Sequence, residues 1–178
     1  MKPTRKAGML LLLLAVGGSS SRPRLCAWLW PDLDESSARR NLRRELARLR
    51  EVGAGAAIRA DGDRLLPGPD LSHDLARAEA LVAAGEPEAA LALWRGDAAE
   101  GLAADGSDDA GLAAWLAEQR LRAQALHRRA LEASAEAAEA RGELATALAR
   151  VQALLADDAL QERQHRAAMR LLAASGDR

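Results

Sequence analysis

Six polar side chains in one stretch have the types and spacing for binding chemistry: Ser37, Arg40, Asn41, Arg43, Arg44 and Arg48. In a helix of 3.6 residues per turn, Ser37, Arg40, Arg44 and Arg48 fall on one face, with Asn41 and Arg43 on its two margins. Ala38, Leu42, Leu46 and Leu49 recur at the spacing of the opposite, core-facing side. Guanidinium groups pair with phosphates, or bidentately with a guanine edge, and an asparagine amide pairs with adenine. The polar face is therefore equipped to read a groove of double-stranded DNA. A plain hydrated surface is the competing interpretation, because charge runs on helices are commonly just solvated.

The elements around this stretch would have to position it. The helix is expected over residues 35–52, with Asp32 and Glu35 at capping-box spacing and Gly53 and Gly55 ending it. Two shorter helices precede it. The first, about 4 to 16, is capped by Thr4 and ended by Gly17 and Gly18; the second, about 22 to 29, has Pro23 in its first turn. Lys2 to Gly18 also imitates a secretory signal, with a basic start, the apolar run Met9 to Val16 and small residues beyond. That run is short of the roughly 20 apolar residues a bilayer span needs. The second helix follows without a linker, which favours a buried first helix.

After the basic helix comes AAIRADGDRLLPGP, where Asp61-Gly62 separates Ala57 to Ala60 from Asp63 to Leu66. That pattern predicts a β-hairpin. Arg59 and Arg64 flank its tip, where they would reach phosphate or simply end exposed strands. Three helices followed by a hairpin is the layout of a winged helix.

Composition divides the chain. Residues 1–68 carry a net charge of +6 and the remainder −7, within 178 residues of net −1. A basic module joined to an acidic one fits a polyanion binder coupled to an interaction domain. Phe and Tyr are absent, so the core must come from Leu, Ala, Val and four Trp, a composition that favours helix. Cys26, alone in an apolar run, is expected to be a buried small hydrophobe. His73, His127 and His165 are too scattered for metal ligation. No glycine-rich phosphate loop or nucleophile elbow occurs, so neither an enzyme nor a cofactor is expected.

Pro67-Gly68-Pro69 reads as a stiff boundary, and from Asp74 onward Ala and Leu recur at helical spacing. Gly85 and Gly142 share a helix, glycine turn, helix context, and Gly176 follows Gly142 by 34 residues, the period of tetratricopeptide hairpins. The longer spacing from Gly85 to Gly142 places an insertion at Gly101 to Gly111. Trp94 and Trp115 are expected to pack in cores rather than anchor partners.

Leu29-Trp30-Pro31-Asp32, then Asn41-Leu42-Arg43 and Leu49-Arg50, in that order and spacing, resemble the winged-helix DNA-binding domain of SARP-type bacterial transcriptional regulators, which carry an OmpR-like fold. Ala89 to Asp97, then Glu100-Gly101-Leu102, then Trp115 with Glu118, Arg120 and Leu121 resemble the bacterial transcriptional activation domain of the same regulators. The resemblance implies a mainly α protein: a winged helix-turn-helix at 1–68, then tetratricopeptide-like helical repeats at 69–178. It implies a cytoplasmic, sequence-specific DNA-binding regulator, an activator, whose third helix reads promoter DNA. Implied partners are double-stranded promoter DNA, RNA polymerase or other transcription proteins, and a second copy in a homodimer, with no membrane. Against the family pattern, strands before the first helix are missing and the last repeat is incomplete, as in a member shortened at both ends or a fragment of a longer regulator. The final helix, about Asp158 to Ala174, is accordingly expected to lack a partner within the chain. An interaction adaptor that has lost DNA binding is the alternative function, and an exported helical protein the third.

Overall fold

The computed structural model of the protein describes residues 4–96, 98 and 110–176. They fall into two compact units, one of residues 4–73 with 98 and 110–120, the other of 74–96 with 121–176. The fold is mainly helical, with eight α-helices and a small three-stranded sheet among the described residues.

In the first unit, α1 (Arg5–Gly17) starts at Thr4, whose hydroxyl accepts the Ala7 N–H at 3.0 Å. The signal-like apolar run lies inside this helix, and Met9, Leu10, Leu13 and Leu14 are buried in the core. Helix α2 (Arg22–Leu29) is capped by Ser21 and buries Leu25, Cys26 and Leu29. Helix α3 (Glu35–Glu51) buries the expected Ala38, Leu42, Leu46 and Leu49, and Glu45 with them. These residues form one cluster with Leu65, Leu112 and Leu116. Each leucine so buried removes apolar surface worth about 2 kcal/mol from water. Cys26 is a buried thiol whose pKa is pushed up by desolvation.

The start of α3 corrects one expectation. Its cap is Asp34, which accepts the Ser37 N–H at 3.0 Å, and not Asp32 with Glu35. An N-cap side chain reaches the amide three residues on, and Ser37 is three residues beyond Asp34.

The sheet has three antiparallel strands in the order β1-β3-β2, where β1 is Ser20–Ser21, β2 is Ile58–Asp61 and β3 is Arg64–Pro67. Asp61 pairs with Arg64, so the hairpin turn is Gly62-Asp63, one residue later than the sequence suggests. Gly62 there takes φ 54°, the left-handed conformation that tight hairpin turns require. Strand β1 was not expected, since two serines between helices carry no strand pattern. It forms because β3 presents a free edge there, with Ser20 opposite Leu65.

In the second unit, α4 (Asp74–Ala83) and α5 (Pro87–Leu91) meet at Gly85, and α6 (Ala110–Ala140), which belongs to this unit from Leu121 onward, and α7 (Leu144–Asp157) meet at Gly142. The two turns repeat the same bonds. Glu86 N–H reaches Leu81 O at 2.9 Å and Glu143 N–H reaches Ala138 O at 2.9 Å, around glycines at φ 78° and 75°. Ala78 of α4, Ala90 of α5 and Leu126 and Ala130 of α6 form one core, with Trp94 packed against it. Trp94 stacks on His127, ring centroids 4.8 Å apart, and burial lowers the His127 pKa. Trp115 packs in the other unit, against Trp28 at 5.9 Å. Both tryptophans thus serve cores.

A second cluster joins Ala135 and Ala138 of α6, Ala147 and Val151 of α7 and Leu171 of α8 (Glu162–Ser175). The expectation that the last helix lacks a partner is therefore wrong. Helix α8 packs on α7 through buried Leu171 and pairs with α6 through Arg163–Glu136 and Arg170–Glu139, at 3.1 and 2.8 Å. Its outer face does expose Met169, 71% accessible. Where α5, α6 and α7 meet, the wholly buried Ser134 hydroxyl donates to Glu88 and accepts from Arg150 Nε at 3.1 Å, while Arg150 Nη2 reaches Glu88 at 2.8 Å. Of the insertion expected at Gly101 to Gly111, residues 101–109 lie outside the described residues, as does the Glu100-Gly101-Leu102 motif, while Ala110 and Gly111 begin α6. No helix among the described residues is long and apolar enough to cross a membrane.

Candidate nucleic-acid interface

Burial of one side of α3 decides what its other side can do. With Ala38, Leu42, Glu45, Leu46 and Leu49 facing the core, Arg40, Arg43 and Arg44 are exposed, and none of the three makes an ion pair among the described residues. Asn41 beside them is half-buried. Ser37 is half-buried too, and its amide is committed to the Asp34 cap. The Asp34 carboxyl sits well below the usual carboxylate range, held there by hydrogen bonds from the Ser37 hydroxyl and amide and from Ser36. It therefore stays charged at the positive end of the helix.

Arg48 is anchored. Its Nη1 donates to Glu45 Oε1 at 2.7 Å, and Glu45, only 7% exposed, also accepts the Thr4 hydroxyl. One carboxylate thus ties the start of α1 to α3 and fixes the rotamer of an arginine on the outer face. Sequence reading missed it because position 45 falls on the apolar side, where a charged residue is rarely buried unless paired.

The hairpin arginines separate. Paired residues of an antiparallel ladder share a face, and strand side chains alternate, so Arg59, Asp61, Arg64 and Leu66 lie on one face and Leu65 points to the core. Arg59 is exposed on β2. Arg64 is turned back toward the loop after α1, where its Nη2 donates to the Ser19 hydroxyl at 2.6 Å and to the Ser19 carbonyl at 3.2 Å. It serves as a strut between β3 and that loop.

One feature that sequence reading did not find is an open groove of about 500 Å³ along the flank of α3, lined by Arg22, Arg39, Leu42, Arg43, Leu46 and Arg50. A smaller cavity beside it shares Arg22, Leu46 and Arg50 and reaches Ile58, Ala60 and Leu65 of the hairpin. Arg39, Arg43 and Arg50 were legible as a stripe at i, i+4 and i+11. Arg22 comes from another helix, so only the fold brings it there.

No group of three or more His, Cys, Asp or Glu among the described residues could hold a metal ion. The arrangement offers exposed cations with a half-buried amide and a half-buried hydroxyl beside them, which is binding chemistry for an extended anion. A search of curated proteins finds no match to this chain. The sequence model of the bacterial transcriptional activator domain, a transcription-regulator family and not an enzyme family, matches residues 61–178. The match begins at the end of β2 and takes in β3 and everything after it, while α3 precedes it. Because it covers well over half of the sequence, the chain belongs to the bacterial transcriptional activator domain family.

Proposed function

We propose that this protein is a sequence-specific DNA-binding transcriptional regulator, an activator, that reads promoter DNA with α3. The observation that carries the reading is the outer face of α3, where Arg40, Arg43 and Arg44 stand exposed and unpaired on a helix whose other side is fixed in a core. Residues 1–68 act as a winged helix, α3 entering the major groove and the β2–β3 hairpin meeting the backbone with Arg59. Asn41 and the arginines beside it supply base-edge contacts, and the remaining guanidiniums supply phosphate contacts. Residues 69–178 act as tetratricopeptide-like repeats that join two copies or engage RNA polymerase in the cytoplasm. The repeated glycine turns at Gly85 and Gly142 support that part.

Binding of promoter fragments at several salt concentrations tests the reading. Four phosphate contacts give a slope of log affinity against log salt of about −4, and Arg44→Ala with Arg48→Ala weakens binding. A flat slope, or affinity unchanged in that double variant, overturns it. Self-association without DNA affinity points instead to an interaction adaptor.

A further inference from the structure

The groove beside α3 is concave, cationic and separate from the stripe that Arg40, Asn41 and Arg44 form. It is lined by four arginines from two helices, with the buried Leu42 and Leu46 as its floor. Of the four, Arg39 alone has an ion-pair partner, Glu35 at 2.7 Å; Arg22, Arg43 and Arg50 have none among the described residues. Like charges gathered in a concavity repel one another, and a bound anion relieves that repulsion. The leucine floor offers no acceptor to compete for them, and it suits the apolar edge of a sugar.

Two features hold the walls in place. The backbone N–H of Arg22 donates to the Asp63 carbonyl at 2.8 Å, which pins the first residue of α2 to the hairpin turn. Gly55 leaves room for the stem of Arg50, since a Cβ there would stand 2.9 Å from Arg50 Cγ. Arg22 itself is half-buried. Through Arg22, Leu46 and Arg50 the groove continues into the cavity against the hairpin. Together the two linings reach from α3 to the hairpin, the two elements that the DNA-binding reading sets against the duplex.

We propose that this groove is a phosphate clamp, in which Arg22, Arg39, Arg43 and Arg50 hold the phosphodiester backbone of one DNA strand as it passes from α3 to the hairpin. The proposal rests on the DNA-binding reading above and adds to it contacts that position the duplex without reading its sequence. Removing these side chains weakens all sequences alike, whereas removing Arg40 or Arg44 also changes which sequence is preferred.

The test uses the intact chain and a labelled random-sequence duplex, titrated by fluorescence anisotropy at several salt concentrations. Arg22→Gln with Arg50→Gln is expected to make the slope of log affinity against log salt shallower by about 2, and Arg50→Gln alone by about 1. Arg24→Gln, which removes a cation lying over the Trp28 ring at 4.3 Å and outside the groove, leaves the slope unchanged. Far-ultraviolet circular dichroism checks folding, and the exposed Arg50→Gln variant carries the test if the double variant unfolds. If the parent protein binds duplex steeply with salt and both groove variants keep its slope, the clamp is overturned while the α3 reading stands. If the parent protein does not bind duplex at all, both fall together.

Discussion

The bond between Thr4 and Glu45 joins residues 41 positions apart and ties the start of the signal-like N-terminal helix to α3. Thr4→Val removes two interactions at nearly constant volume: the α1 cap on the Ala7 amide and the hydroxyl donated to the Glu45 carboxylate. A lost N-cap costs about 1 kcal/mol, and a hydrogen bond to a charged acceptor about 1.5 kcal/mol, reduced here because Thr4 is half-exposed. The expected total is about 2 kcal/mol, which at a urea dependence of about 2 kcal/mol per molar moves the unfolding midpoint by about 1 M. Glu45→Ala removes the same bond and the Arg48 pair besides. The two substitutions should therefore be non-additive, with a coupling of about 1 kcal/mol in a double-mutant cycle. Urea unfolding followed by tryptophan fluorescence suits this unit, because it contains Trp28, Trp30 and Trp115. A coupling below about 0.3 kcal/mol, which is the additivity of independent sites, would refute the docking of α1 on α3 through this carboxylate.

Two further outcomes follow from the same unit. At Gly68 a Cβ would stand 1.9 Å from the Ala56 carbonyl oxygen, so Gly68→Ala must displace backbone just after β3; a loss of about 2 kcal/mol or more is expected in urea unfolding. A variant as stable as the parent would show that this close approach is not needed. The Asp34 cap makes stability acid-sensitive: its folded pKa lies below its unfolded one, near about 4, so its contribution is full at neutral pH and declines as pH falls below that value. Asp34→Asn keeps an acceptor but cannot titrate, so its stability should fall less steeply between about pH 4 and pH 2. Equal acid limbs in the two proteins would assign the acid loss to other carboxylates.

Local regularities were legible in the sequence, and they were legible for physical reasons. Spacing at 3.6 residues fixed which side of α3 is buried, because apolar side chains must leave water wherever the helix goes. Thr4 and Pro23 marked the starts of α1 and α2 through their own backbone chemistry, and the glycines after α4 and α6 marked turns that only a left-handed residue closes easily. The cap of α3 was misplaced by two residues because Asp32 has the capping-box spacing to Glu35 and Asp34 has no such partner, and only the backbone path selects Asp34.

What depends on contacts between distant segments could not be read from spacing. Strand β1 exists because β3 lies beside it. Glu45 is buried because Thr4 and Arg48 converge on it from two helices. Arg64, placed at the hairpin by the sequence, is drawn to Ser19 by the fold. The sequence by itself determined that the chain is helical, split in charge, and armed with arginines on one side of α3. Only tertiary structure decided which of those arginines are tethered and which remain open, and it alone brought Arg22 beside Arg50, since a side chain's partners depend on distances that chain order does not contain.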